Sequence, residues 1–204
     1  GDHVAGCSDD DAKLAIREIA GFHAAFWEGP RLADLEWIPS FDYLAEMMQE
    51  SYRRSWDTFL VKAGDALPQT MLEIAQVLAE NVAGIMRQLG GSPRTINHGD
   101  YRLDNMIFGS QETGRPLTVI DWQLPMIGPG AADVAYFVAF CIDPEQRKAT
   151  ELGLLRGYHS VLSEHGVGGY DFEACLLDYR RSLLYHLTRV VDGIALLDVS
   201  SERG

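Results

Sequence analysis

At 204 residues with 47% apolar content, the chain is long enough for one large domain or two small ones and has ample material for a packed core. A formal charge of −13 disfavours nucleic acid, whose phosphates an acidic surface repels, and favours cationic small molecules or metal ions. The longest uninterrupted apolar run, 134–142, is too short to cross a bilayer, and no charged-then-apolar signal segment opens the sequence, so a cytoplasmic protein without a membrane span is expected.

Cys7, Cys141 and Cys175 are widely spaced and odd in number, which suggests neither a disulfide framework nor a CxxC metal site. The sequence starts on Gly1 and enters its first helix within about ten residues, which reads as a truncated or processed start. Ser8 followed by Asp9, Asp10 and Asp11 is a good helix opening, with a capping hydroxyl and acids at the positive end of the dipole. Ile16, Ile19, Ala20, His23, Phe26 and Trp27 then recur at helical spacing until Gly29-Pro30 stops the run, and His23 reads as a packed histidine.

A second helix is predicted over 41–62, with Leu44, Met47, Met48, Tyr52, Trp56 and Phe59 as its stripe. A third runs from Pro68, placed in its first turn, to the stop at Gly90-Gly91. After Pro93 the pattern changes to short β-like pieces over 95–98, 105–108 and 117–120, the last two joined by the polar turn 109–115. Gly128-Pro129-Gly130 is a further turn, and helices follow over 134–141, 144–165 and 172–199. The expected fold is mainly α with a small β-hairpin insertion, an α+β arrangement in which 8–204 form one domain.

The chemistry concentrates in the stretch 96–121, INHGDYRLDNMIFGSQETGRPLTVID. Asp100 and Asn105 are five apart, and if the hairpin folds as read, Asp121 at the end of its second strand comes beside them. Such hard oxygen donors suit Mg²⁺, which takes only one or two protein carboxylates and leaves its other positions to water and phosphate. Phosphoryl transfer in protein kinases uses a catalytic-loop Asp that accepts the hydroxyl proton, an Asn five residues on that holds Mg²⁺, and a later metal-binding Asp. HGDYRLDN supplies the first two here and VIDWQ the third. A lone DxxxxN occurs by chance; HGD, the spacing to Asn, an apolar strand and then Ile-Asp-Trp are specific only jointly.

Over 98–136 the sequence resembles the catalytic core of the aminoglycoside phosphotransferase and choline kinase-like superfamily, relatives of the protein kinases. The resemblance implies ATP and Mg²⁺ as cofactors and a hydroxyl of a small molecule as acceptor. Asp100 would be the base or orienter for that hydroxyl, and Asn105 and Asp121 would hold the metal. Arg102 would either stabilise the γ-phosphate or pair with Asp104. Ile107 and Ile120 match the apolar floor and rear of the adenine pocket, with core packing as the other reading. His98 would fix the loop through a hydrogen bond to backbone, and Asp133 would cap the following helix and brace the loop. Acidic side chains on the helices over 41–62, 144–165 and 172–199 read either as attracting a cationic acceptor such as an amine or as solvated faces.

The resemblance further implies that the chain is the C-terminal lobe of a protein-kinase-like fold, with 1–7 as the tail of an interlobe linker. The N-terminal β lobe, with its glycine-rich loop and strand lysine, is missing before Ser8. The portion is therefore expected to be inactive or nearly so by itself. Two other classes compete with the kinase: a kinase-like scaffold that has lost catalysis, which has no need of all three of Asp100, Asn105 and Asp121, and a metal-dependent phosphoester hydrolase, whose two-metal sites show more carboxylates or histidines.

Overall fold

The computed structural model describes residues 1, 6–91, 93–109 and 114–197. Most of the expected linker tail, the tip of the turn between the two hairpin strands and the end of the last predicted helix lie outside the described residues. Helix α1 (Asp9–Phe26) starts where the acidic cluster predicts: the Ser8 hydroxyl accepts from Asp11 N–H at 3.1 Å, and Asp9, Asp10 and Asp11 fill the first turn. A 3-10 turn (Pro30–Leu35) follows it.

Helix α2 (Ala45–Ala63) begins later than the predicted 41. The residues before it lie instead along the short strand β4 (Met126–Gly128), with Phe41 N–H donating to Ile127 O at 3.2 Å and Ile127 N–H to Pro39 O at 2.9 Å. The single helix predicted from Pro68 to Leu89 is two, α3 (Gln69–Leu78) and α4 (Val82–Gly90), with Pro68 as the cap residue of α3. Gln49 of α2 spans the break. Its Nε2 donates to Ala79 O at 2.5 Å and its Oε1 accepts from Ala83 N–H at 3.2 Å, which satisfies a carbonyl beyond one helix end and an amide at the start of the next. The apolar stripe continues across the break because Leu78, Val82, Met86 and Leu89 all enter one core, so periodicity alone reads a single helix.

Strand β1 (Thr95–Asn97) pairs antiparallel with β4, and β2 (Met106–Phe108) with β3 (Leu117–Val119). The second pair is the expected hairpin. Strand β4 is absent from the sequence reading because its three residues are all buried and follow Pro125, leaving no alternation to detect. Helix α5 (Ala131–Cys141) starts before the predicted 134, with Asp133 inside its first turn and not ahead of it. Apolar on nearly every side, it is enclosed by α6 (Pro144–Glu164) and α7 (Phe172–Leu196).

Two apolar clusters result. One joins α1, α5 and α6 around Ile16, Tyr101, Phe137 and Tyr158; the other joins α2, α4 and α7 around Phe41, Tyr52, Met86 and Val191. Met106 of β2 and Leu117 of β3 enter the first cluster and Met126 of β4 the second, while Ile96 of β1 packs with Ile38 and Ile127 in a small third one. All three cysteines are free thiols, and among the described residues no helix is long and apolar enough to cross a membrane.

Candidate active site

The loop that leaves β1 is held at almost every residue. Gly99 has φ +80°, and a Cβ there would lie 1.9 Å from Leu124 O, so glycine is the residue the turn accepts. The Asp133 carboxylate, 2% exposed, accepts from His98 N–H at 2.6 Å and Gly99 N–H at 3.0 Å, and from His23 Nε2 at 3.2 Å. His23 Nδ1 is in turn hydrogen-bonded to the Tyr158 hydroxyl at 3.0 Å. A Cβ on Gly130 would strike both His23 and Tyr158, so its absence lets the start of α5 pack closely against α1 and α6. Burial by itself would raise Asp133, but the bond and charge of His23 together with the two amides hold its carboxyl below the usual carboxylate range.

His98 lies across the loop with both ring nitrogens on backbone: Nε2–H donates to Ile120 O at 2.9 Å and Nδ1 accepts from Asp100 N–H at 3.2 Å. These partners define the tautomer. Asn105 Nδ2 donates to both Asp100 O (2.9 Å) and Asp100 Oδ2 (3.1 Å), and Asn105 O accepts from Ile120 N–H at 2.9 Å. Asn105 therefore touches Asp100 directly and is bonded to the residue before Asp121, as the hairpin register requires. Asp121 has φ +67°, one of only two non-glycine residues in the left-handed region among the described residues, and Gln123 Nε2 donates to its Oδ2 at 3.4 Å.

Arg102 makes the ion pair with Asp104, Nε to Oδ2 at 3.9 Å, and has a nearer partner that the sequence reading does not name, Asp100 Oδ2 at 3.3 Å. The alternative of core packing for Ile107 and Ile120 is overturned by their exposure, 54% and 42%. The hairpin alternates, burying Met106 and turning Ile107 outward. Asp133 reaches the loop, but no side-chain hydrogen bond caps α5, because Asp133 lies within the first turn and its oxygens are engaged by the loop and His23.

Two residues that the sequence reading does not place at the site are here. Burial first, then the neighbouring Asp100, push the Tyr136 phenol up to about 12. Arg189 of α7 donates from Nη1 to Gly99 O at 2.6 Å and stacks over the Tyr136 ring at 5.1 Å. In sequence, Tyr136 is one apolar member of a helix and Arg189 one basic residue of another; no local pattern marks either. Beside Gly99 is a cavity of about 370 Å³, walled by Trp37, Leu44, Leu124, Tyr185 and Arg189, and Arg189 is its charged member. A larger groove of about 630 Å³ runs between α1 and α6 and includes no residue of this loop.

Near this loop, His186 is buried and donates from Nε2 to Ala132 O at 2.8 Å. Burial pushes its imidazole down from 6.5 to about 4. The unfolded chain then takes up a proton that the folded chain refuses, so stability is expected to decline as pH falls from about 6.5 and this contribution to level off below about 4. Denaturant midpoints across that interval, with His186→Phe expected to flatten the slope, measure it.

The class to which these features belong is that of the kinase-like phosphotransferases. The chain belongs to the ecdysteroid kinase-like family, whose family model matches residues 1–166. It is 35% identical over 112 residues to acyl-CoA dehydrogenase family member 11 of Gallus gallus, covering 54% of this chain and 13% of that protein. It is 52% identical over 42 residues to acyl-CoA dehydrogenase family member 10 of Mus musculus, covering 21% of this chain and 4% of that protein. With the probable acyl-CoA dehydrogenase IBR3 of Arabidopsis thaliana it shares 30% identity over 86 residues, 41% of this chain and 10% of the relative. The chain thus spans a small part of the length of these curated relatives. No solved structure matches it.

Proposed function

We propose that the chain carries the base and metal ligands of an ATP- and Mg²⁺-dependent phosphotransferase whose acceptor is a hydroxyl of a small molecule. The observation that carries this reading is the pair of contacts at Asn105, one to Asp100 and one to the residue before Asp121, within a family of kinase-like phosphotransferases. The oxygen set fits the metal: Asp121 offers a carboxylate, and Asn105, whose Nδ2 is spent on Asp100, keeps its amide oxygen as a donor. Two such oxygens are enough, because Mg²⁺ takes only one or two protein carboxylates and leaves its other positions to water and phosphate.

Each residue then has a role. Asp100 orients the acceptor hydroxyl and takes its proton. Asn105 and Asp121 hold Mg²⁺, which supplies charge neutralisation on the phosphates during transfer. Arg102, released from Asp100, stabilises the transferred phosphoryl group. Ile107 and Ile120 offer exposed apolar surface to the adenine, while His98 and Asp133 hold the loop. The acceptor enters at the cavity beside Gly99. Its one charged wall residue, Arg189, makes a cationic acceptor a poor fit there. We further propose that a nucleotide-covering β lobe lies outside these residues and that the chain alone transfers little or no phosphate.

The test is transfer of label from γ-labelled ATP to hydroxyl compounds in the presence of Mg²⁺, by a polypeptide that joins this chain to a nucleotide-covering lobe. Label in an alcohol supports the assignment, and none in any nucleotide or acceptor tried would end it. Robust turnover by the 204 residues alone would overturn the need for a second lobe. In the competent protein, Asp121→Ala is expected to raise the Mg²⁺ needed for nucleotide binding by at least the roughly 10- to 100-fold that outer-sphere changes cost at metal sites. An unchanged Mg²⁺ titration would remove Asp121 from the site.

A further inference from the structure

We propose that Trp122 and Gln123 are positioning residues for Asp121, Trp122 holding its backbone against the His98 ring and Gln123 selecting the carboxylate oxygen left for the metal; this rests on the phosphotransferase reading of the site. Asp121 has φ +67°, a left-handed conformation that a residue with a Cβ adopts only where its surroundings impose it. Those surroundings lie on either side of it. Before it, the Ile120 peptide is engaged at both ends, its N–H donating to Asn105 O at 2.9 Å and its carbonyl accepting from His98 Nε2 at 2.9 Å. After it, the Trp122 indole packs edge-on to the His98 ring with centroids 4.6 Å apart and lies against Phe22 of α1 at 4.7 Å. Its Nε1–H donates back to Val119 O at 3.2 Å.

One imidazole therefore serves both halves of the site. His98 accepts the Asp100 amide on Nδ1, donates to the residue before Asp121 from Nε2, and carries the residue after Asp121 on its ring, so the spacing of base and metal ligand passes through that ring. Trp122 is only 38% exposed, although it stands at the open edge of the site, because two aromatic rings cover it. Gln123 completes the turn. Its Nε2 donates to Asp121 Oδ2 at 3.4 Å, which engages one carboxylate oxygen and leaves Oδ1 for a metal. Gln123 is also a wall of the cavity beside Gly99, so the acceptor cavity and the metal ligand share a side chain.

In the phosphotransfer-competent protein, Trp122→Leu removes the aromatic packing and keeps an apolar side chain. It is expected to raise the Mg²⁺ concentration for half-maximal nucleotide binding about tenfold, the lower end of what outer-sphere changes cost at metal sites. Trp122→Phe, which retains a ring for His98 and Phe22, should recover most of that loss. Gln123→Leu should shift the same titration in the same direction with the thermal midpoint unchanged, and should raise KM for the acceptor as well. An unchanged Mg²⁺ titration in either leucine variant would overturn that residue's assignment while leaving the phosphotransferase reading intact. A parent protein that transfers no phosphate would overturn that reading instead. The hold of Trp122 on the turn is then decided on the metal-free 204-residue chain by amide exchange: faster exchange of the Asp100 and Ile120 amides in Trp122→Leu, with α5 still protected, supports it, and unchanged exchange there removes it.

Discussion

Asp100→Asn is expected to lower the rate of phosphoryl transfer by about 10²- to 10⁴-fold while leaving Mg²⁺–nucleotide affinity nearly as it was. The substitution preserves size and one acceptor oxygen, so the Asn105 amide keeps a partner. Only the basicity and the negative charge are lost. Asn105 and Asp121 keep the hairpin bond that sets their spacing, Ile120 N–H to Asn105 O at 2.9 Å, so binding should persist. Arg102 loses its nearer carboxylate partner and turns to Asp104, which moves it little. Single-turnover rates beside ATP affinity separate the effects. Loss of affinity with a retained rate would contradict the assignment.

Asp133→Ala is expected to cost about 3–5 kcal/mol of stability, the effect of removing one partner from a buried charged network. Three donors converge on that carboxylate, and the amides of buried His98 and of Gly99 are left unpaired when it is gone. His23, fully buried, loses its partner as well. For a chain of this size the loss corresponds to a fall of roughly 6–20 °C in the thermal midpoint. The sign with pH is set by the lowered carboxyl: its contribution is complete above the ordinary carboxylate value and disappears as pH falls through its lower folded value. Parent and variant should therefore converge in strong acid. A gap that persists there would mean that Asp133 stabilises by packing and not by charge.

Where a structural need is local, the sequence carries it. Ser8 and its three acids specify the start of α1 because capping acts within one turn. The spacing from Asp100 to Asn105 survives because one short loop must bring both to the same point. The hairpin that places Asp121 is legible as two short apolar pieces joined by a polar turn. What escapes the sequence is settled between distant elements. Gln49 breaks the third predicted helix from another helix, β4 exists only as the partner of β1, and Tyr136 and Arg189 act through contacts no window spans. Ile107 and Ile120 were ambiguous because an apolar residue in a short strand reads alike whether it faces the core or a ligand; their exposure separates the cases.

The bond from Arg189 to Gly99 closes a span of 90 residues. Synthesis proceeds from the N-terminus, so the whole His98–Asn105 motif emerges long before α7 is available to seat against it. During that interval the motif is present while its Gly99 carbonyl is untethered and the Tyr136 ring uncovered. The tether is thus completed only when α7 docks, and a nascent chain arrested ahead of residue 189 would have the motif without it.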